Sequence, residues 1–269
     1  MLRRVLQYIK KNELLKPTDK VLVGFSGGAD SVALLDVLLR GGWCCVVMHC
    51  YFNLRGLESK RDRDFVEQYI GEMTKSFANA GQSHRLSLVM KSFSTQEQAV
   101  FHHRSIEMEA RELRYQSFVQ VANEYNCSVI AVGHHQNDQA ETVLLNLFRG
   151  TGIRGLQGMR AKTKTKYGDV PLIRPLLCTT HDYIIHYLSD IRHLPWVEDS
   201  TNMDEKIKRN KIRKILSSFS KKEIEHISQT ATWMQGYVDV IEGRKTELAS
   251  QIIKYESTNE TLWSYRISP

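Results

Sequence analysis

What most restricts the fold of this 269-residue chain is a rhythm of short, partly β-branched apolar runs, each followed by a longer stretch of helical periodicity. The runs are Val21-Leu22-Val23 and then residues 44–50, 86–90 and 129–132. Bounded and brief, they read as strands buried on both faces. Strands that alternate with helices pair in parallel, because a parallel neighbour needs a crossover of a dozen residues or more. The helical stretches end where a left-handed cap is wanted: 31–40 at Gly41-Gly42, 58–80 at Gly81 and 138–149 at Gly150. Within 58–80 one face collects Phe65, Val66, Tyr69, Ile70, Met73 and Phe77, and within 105–125 the inner face is Ile106, Ala110, Leu113 and Val121. An amphipathic N-terminal helix through Leu2, Val5, Leu6 and Ile9 closes before Pro17. The expectation is an α/β fold: an open, parallel, five-stranded, Rossmann-like sheet flanked by helices, its fifth strand near 170–173, followed by a short helical C-terminal region.

Composition narrows the setting. Charged residues at 25% and hydrophobic ones at 42% describe a globular chain rather than a disordered one. No stretch reaches the roughly 18 apolar residues of a spanning helix, so no membrane partner is expected. The five cysteines are odd in number and contain no C-x-x-C pair, which argues against a disulfide framework or a structural zinc site. The N-terminus has no uninterrupted apolar core of a secretory signal. A reducing, cytoplasmic location is expected.

The segment Ser26-Gly27-Gly28-Ala29-Asp30-Ser31 lies directly after one expected strand and directly before a helix. Its glycines allow a tight turn, and the first amides of the helix then point at whatever sits above the strand end, which makes an anion seat. Ser26 and Ser31 add hydroxyls, and Asp30 adds a carboxylate able to hold a magnesium ion between phosphates. An ordinary capped turn is the plainer reading of the same six residues. Neither G-x-G-x-x-G nor G-x-x-x-x-G-K-[ST] is present, so dinucleotide and Walker-type binding are not indicated.

A second constellation follows the fourth strand: Gly133-His134-His135-Gln136-Asn137-Asp138, with Glu141 and Thr142. Asp138 and Glu141 are three apart and share a helical face at the carboxyl edge of the sheet, where open α/β folds bind ligands. They suit an ammonium group or a metal, or simply complement the helix dipole. His134 is the histidine expected to contact phosphate or ribose, with His135 facing solvent. Arg111 and Arg114 lie three apart on a helix, either bridging to Glu107 and Glu112 or facing developing phosphate charge.

The loop resembles that of the PP-loop, or N-type ATP pyrophosphatase, family, and the wider pattern resembles the tRNA(Ile)-lysidine synthase family. That pattern comprises residues 26–31; His49 with Leu54-Arg55-Gly56, Glu58-Ser59 and Arg61-Asp62; residues 105–115; Gly133-His134 through Asp138 and Glu141-Thr142; residues 147–156 and 173–177; Glu198-Asp199-Ser200-Thr201-Asn202; and Arg209-Asn210-Lys211-Ile212-Arg213. The resemblance implies an adenine nucleotide α-hydrolase-like fold, ATP and Mg2+ as cofactors, and ligation of lysine to carbon 2 of the wobble cytidine of the CAU anticodon of tRNA(Ile). AMP and pyrophosphate leave. It implies that Ser26, Gly27, Gly28, Ala29, Asp30 and Ser31 hold ATP, with Asp30 on the metal, and that Arg114, His134, Asp138 and Glu141 form the catalytic side. It also implies a catalytic domain over 1–215, with 216–269 the start of a truncated or missing C-terminal tRNA-binding region. A homodimer stays open.

The net charge of +7 matters by where it sits. Residues 149–174 are rich in Arg and Lys, and 206–222 carry eight bases and no acid. Both suit phosphate backbones, with Arg154, Arg209 and Arg213 as the tRNA contacts. Trp196, Trp233 and Tyr237 read as packing residues. Two rivals remain: a tRNA thiolase on the same fold, which would need reactive cysteine pairs, and a non-catalytic nucleotide-binding regulator, which would need neither the two acids nor the basic stretches.

Overall fold

The computed structural model describes residues 1–54, 56–198, 207–257 and 263–267, with the backbone alone for 207–210 and from 251 onward. Helix α1 (Leu2–Lys11) leads into β1 (Lys20–Gly24), α2 (Ala29–Arg40), β2 (Cys44–Tyr51), α3 (Leu57–Asn79), β3 (Leu86–Ser92), α4 (Thr95–Phe101), α5 (Ile106–Glu124) and β4 (Val129–Ala131). Then come α6 (Gln136–Phe148), α7 (Ile153–Leu156), β5 (Lys162–Thr165), β6 (Gly168–Ile173) and α8 (His181–His186). Beyond residue 206 lie α9 (Ile207–Ser217), α10 (Lys221–Ile252), β7 (Ile253–Ser257) and β8 (Trp263–Ile267).

The main sheet runs β3-β2-β1-β4-β6-β5. The five parallel strands match the expectation, but the sheet has six, because β5 pairs antiparallel to β6. Strand order reverses between β1 and β4, so a crevice opens beyond their carboxyl ends, where such folds place ligands.

Alternation within β1 builds both cores. Val21 and Val23 face the layer of α1, α2 and α3, joined by Val5, Ile9, Leu34, Leu35, Leu38, Val66 and Ile70, while Leu22 faces the α5 layer of Phe118, Val121, Ile130 and Leu172. The α3 face read from the sequence is the packed one, with Phe65, Tyr69, Met73 and Phe77 flanking Val66 and Ile70. In α5, however, Ile106 is exposed, and Phe118 and Val119 take its place in the core. A third core joins Ala140 of α6 to Ile212 and Leu216 of α9 and Ile224 of α10.

Beyond α9 the C-terminal region is less purely helical than expected. Helix α10 spans 32 residues, opening on a Ser220–Glu223 capping box: the Ser220 amide donates to Glu223 Oε2 at 2.7 Å and the Glu223 amide to Ser220 Oγ at 3.3 Å. The last dozen residues, read as a tail, include β8, which forms a hairpin with β7. Trp196 packs on the main core, but Trp233 and Tyr237 are more than half exposed on α10, against the packing role expected of them. No helix among the described residues is long and apolar enough to cross a membrane.

Candidate nucleotide-binding and catalytic site

The loop between β1 and α2 is held by its own serines. Ser31 Oγ accepts from the amides of Ser26 (3.3 Å) and Gly27 (3.2 Å) and donates to the Gly28 carbonyl at 2.8 Å. Ser26 Oγ accepts from the Gly28 amide at 3.2 Å. Gly27 sits at φ 92°, a left-handed conformation that glycine adopts without strain, and a Cβ added there would crowd the Phe65 ring at 3.1 Å. Among the described residues no acceptor faces the amides of Ala29 and Asp30, so the first turn of α2 presents open donors above the end of β1.

The chain after α8 closes over this loop. Asp36 of α2, buried, accepts from Arg192 Nε at 3.2 Å and its terminal nitrogen at 3.0 Å, and from the Tyr187 hydroxyl at 2.5 Å. From that anchor the chain reaches Val197, whose amide donates to the Gly27 carbonyl at 2.9 Å. Arg61 of α3 donates to the Glu198 carbonyl at 3.2 Å. His49, at the end of β2, is buried and donates from Nδ1 to the Phe25 carbonyl at 2.9 Å; burial holds its pKa below the ordinary histidine value. Arg55 and residues 199–202 of the motif set lie outside the described residues.

Asp30 projects from the first turn of α2 toward two histidines. His181 Nδ1 donates to Asp30 Oδ1 at 3.1 Å, and His135 Nε2 lies 3.6 Å from the same oxygen and 3.5 Å from Asp138 Oδ2. Burial would raise the Asp30 pKa, yet the hydrogen bonds from His135 and His181 hold it well below the usual carboxylate range. Burial likewise opposes charge on His135, but Asp138 and Asp30 outweigh it and raise its pKa to about 9. His135 is therefore buried between two acids rather than facing solvent. His134, the histidine expected at the ligand, has a buried Nδ1 with no partner among the described residues, and burial of the ring pulls its pKa down to about 4. His181 was not singled out by sequence; its one cue is its place after β6, at the carboxyl edge of the sheet.

The remaining residues disperse. Asp138 accepts from the His135 amide at 2.9 Å and stays partly open, whereas Glu141 is buried and accepts from Arg213 Nε at 3.0 Å. Arg213 is thus turned inward onto α6. Arg114 lies over the Phe52 ring at 5.2 Å and Arg111 over Tyr115 at 4.9 Å, while Glu112 pairs with Lys166 of the β5–β6 turn at 2.6 Å. Arg154 is exposed and ion-paired with Glu242 of α10, and Arg160 with Asp239 at 2.8 Å. Arg174 is buried, donating to the Arg160 carbonyl at 2.8 Å, and is not the surface phosphate contact expected of that stretch. The Arg209 side chain lies outside the described residues. A cavity of about 310 Å³, lined in part by Arg111, Tyr115, Lys164 and Arg174, lies between α5 and the β5–β6 hairpin, and the phosphate seat itself is an open crevice outside it.

Among the described residues no three cysteines bring their sulfur atoms together as a metal or cluster site would need. Cys45 and Cys127 are buried, and burial pushes the Cys45, Cys50, Cys127 and Cys178 thiols up to about 11 or 12. Among the described residues, the group able to hold a metal ion is Asp30, His135 and His181.

An open α/β sheet with a glycine-turned anion seat at its switch point defines a nucleotide-binding protein of the PP-loop class. Residues 1–234 match the model of the PP-loop domain, and the chain belongs to that ATP-using family, in its tRNA(Ile)-lysidine synthase branch. It is 46% identical to the tRNA(Ile)-lysidine synthase of Bacteroides thetaiotaomicron over 211 residues, 78% of this chain and 45% of that protein. It is 35% identical to the enzyme of that name from Chlorobaculum tepidum over 250 residues, 88% of this chain and 70% of that one. The chain spans about half the length of most of the curated relatives it matches. Among solved structures, a U34-tRNA thiolase from Methanococcus maripaludis, determined with its 4Fe-4S cluster, shares the fold at TM-score 0.65 and 18% identity, covering 90% of this chain and 80% of that one.

Proposed function

We propose that this chain is the adenylating, lysine-ligating part of a lysidine-forming enzyme acting on the CAU anticodon of tRNA(Ile). The observation that carries the reading is the meeting of Asp30, at the phosphate loop, with His135 and Asp138, at the loop after β4, across the β1–β4 crevice. A Cβ at position 28 would stand in ordinary contact with the loop, 3.4 Å from Ser26 Oγ and 3.8 Å from the Val197 carbonyl oxygen. The loop and the open amides of Ala29 and Asp30 fit an ATP phosphate tail. The Asp30 carboxylate fits a Mg2+ that arrives with the nucleotide and would neutralise phosphate charge.

On this reading the cytidine O2 attacks the α-phosphorus of ATP, the bond to the bridging oxygen breaks, and pyrophosphate departs along the loop. An amine of lysine then attacks carbon 2, the C2–O bond breaks, and AMP leaves with that oxygen. The amine must shed a proton to a nearby carboxylate, and Asp138 and Glu141 are the acids at this edge. Arg114 and His134 complete the catalytic side, and residues 26–31 hold the nucleotide. Residues 1–215 form the catalytic unit. Residues 216–269, with Arg154 and Arg209, meet tRNA, whereas Arg213, expected among those contacts, is committed to the buried Glu141; the five free cysteines suit a cytoplasmic setting.

Purified chain given ATP, lysine and a CAU-anticodon tRNA is expected to release pyrophosphate and incorporate labelled lysine, and Asp138→Ala to abolish incorporation in a folded protein. Pyrophosphate release without lysine incorporation, or sulfur transfer in its place, rejects the ligase reading. The cysteine geometry disfavours the thiolase: buried, high-pKa thiols are poor nucleophiles.

A further inference from the structure

We propose that Asp30, His135 and His181 form a binding site for a divalent transition-metal ion of the zinc type, set beside the phosphate seat. The three residues come from three different strand-to-helix connections, after β1, β4 and β6, and converge at one point of the carboxyl edge. Their ligand atoms all lie within 4.8 Å of one another. Bonds of about 2.0–2.1 Å in a tetrahedron place ligand atoms roughly 3.3 Å apart. The Asp30–His181 and Asp30–His135 separations, 3.1 and 3.6 Å, bracket that edge length. A modest turn of one imidazole would bring the third pair to the same distance.

Donor chemistry decides the kind of ion. A Mg2+ arriving with ATP would take the Asp30 carboxylate together with phosphate and water oxygens, but without nucleotide two imidazole nitrogens and one carboxylate are a poor match for its near-octahedral oxygen shell. The same set suits zinc, cobalt and their neighbours. Three protein ligands also leave a fourth position, the arrangement of zinc sites that receive an exogenous oxygen. Here that position would border the open amides of Ala29 and Asp30, so a phosphate oxygen is the natural fourth ligand. Asp138 supports the shell: it accepts the His135 amide at 2.9 Å and adds negative charge 3.5 Å from His135 Nε2.

The inference deepens the cofactor part of the proposed function, but it stands on the Asp30 geometry and not on lysidine formation. The test uses the full chain, stripped with a chelator and titrated without nucleotide. Co2+ is expected to give the visible absorption of a tetrahedral nitrogen-oxygen site at one ion per chain. Zn2+ should displace it stoichiometrically, and Mg2+ in large excess should not. His181 is partly exposed, so His181→Ala is expected to fold, with an unchanged far-ultraviolet spectrum, and to weaken Co2+ binding by about tenfold or more. Three results overturn the site: no absorption band, an unchanged affinity in His181→Ala, or displacement by Mg2+ as readily as by Zn2+. Pyrophosphate release and lysine incorporation with Mg2+ alone would leave the ligase reading standing while these results removed the metal site.

Discussion

Gly133 offers the sharpest test of how the two halves of the site depend on each other. It follows β4, and a Cβ added there would stand 3.1 Å from the carbonyl carbon and oxygen of Asp30 and 3.2 Å from its Cβ. Its φ is not positive, so Gly133→Ala acts by crowding and not by backbone strain. The atoms it meets are backbone in the first turn of α2, a helix buried on nearly every side, and they cannot swing away. Either the strand end or the phosphate loop must move by a few tenths of an ångström. Overpacking of this kind costs about 1–3 kcal/mol, which for a chain of this size lowers the melting temperature by roughly 2–5 °C. The same displacement carries the Ala29 and Asp30 amides off the phosphate, and sites need their groups within about 0.5 Å, so ATP affinity should fall about tenfold. Gly236→Ala is the control: nothing lies within 4 Å of its added Cβ, and inside α10 it should be neutral or gain up to about 1 kcal/mol. Calorimetric melting and ATP titration of both variants read the two effects separately. A Gly133→Ala chain that melts lower yet binds ATP as before would show that the contact packs the sheet without positioning the loop. An unchanged melt as well would refute the crowding itself.

Removing Arg192 strips the buried Asp36 of its guanidinium; discounting for the partial exposure of Arg192, Arg192→Ala should cost about 2–3 kcal/mol in denaturant unfolding and loosen the Val197–Gly27 clasp, and a loss below about 0.5 kcal/mol would discard the anchor. Burial puts the folded pKa of His49 below the ordinary histidine value, which the residue regains when unfolded. Below about pH 6.5 the unfolded chain therefore binds more protons, and stability falls with pH. Replacing it, in His49→Asn, should flatten that part of the stability curve between pH 7 and 5, and identical slopes would exclude the residue. Glu242→Gln with Asp239→Asn frees Arg154 and Arg160, so tRNA affinity at low salt should rise and its salt dependence steepen, and parallel salt curves would leave those arginines out of the interface.

How much was legible depends on how local the determinant is. The central parallel strands β1, β2 and β4 showed as apolar runs because both their faces are buried. β5 escaped because Lys162-Thr163-Lys164-Thr165 has no apolar face: it is an edge strand, fully paired on one side only and guarded by lysines, so it reads as a basic loop. β7 and β8 pair as a two-stranded sheet among the described residues, and a lone strand-like stretch in a sequence resembles a tail. The phosphate loop was legible because strand, glycines and helix start are contiguous. The histidines were not. His134 and His135 are neighbours in non-helical backbone and point apart, so spacing alone could not choose between them. His181 reaches Asp30 only because β6 lies beside β4, and that strand order is nowhere written in the local sequence.

The two acids of α6, equivalent by spacing, are separated by their partners. Glu141 is buried and ion-paired with Arg213 of α9, so its charge fastens the helices that follow residue 206 to the helix that opens at the crevice. Breaking such a pair would leave an uncompensated buried charge, a cost of several kcal/mol that a substrate amine would have to offset before it bound. Asp138 is less tightly committed: its side chain is 28% exposed, accepts from the His135 amide, and lies 3.5 Å from Nε2 of the histidine that it shares with Asp30. Under the proposed chemistry the acid that meets the amine is therefore Asp138. Glu141 works at one remove, keeping Arg213 and α9 in register with the crevice, so that a substitution there would disturb the placement of the basic C-terminal helix before it touched the proton transfer.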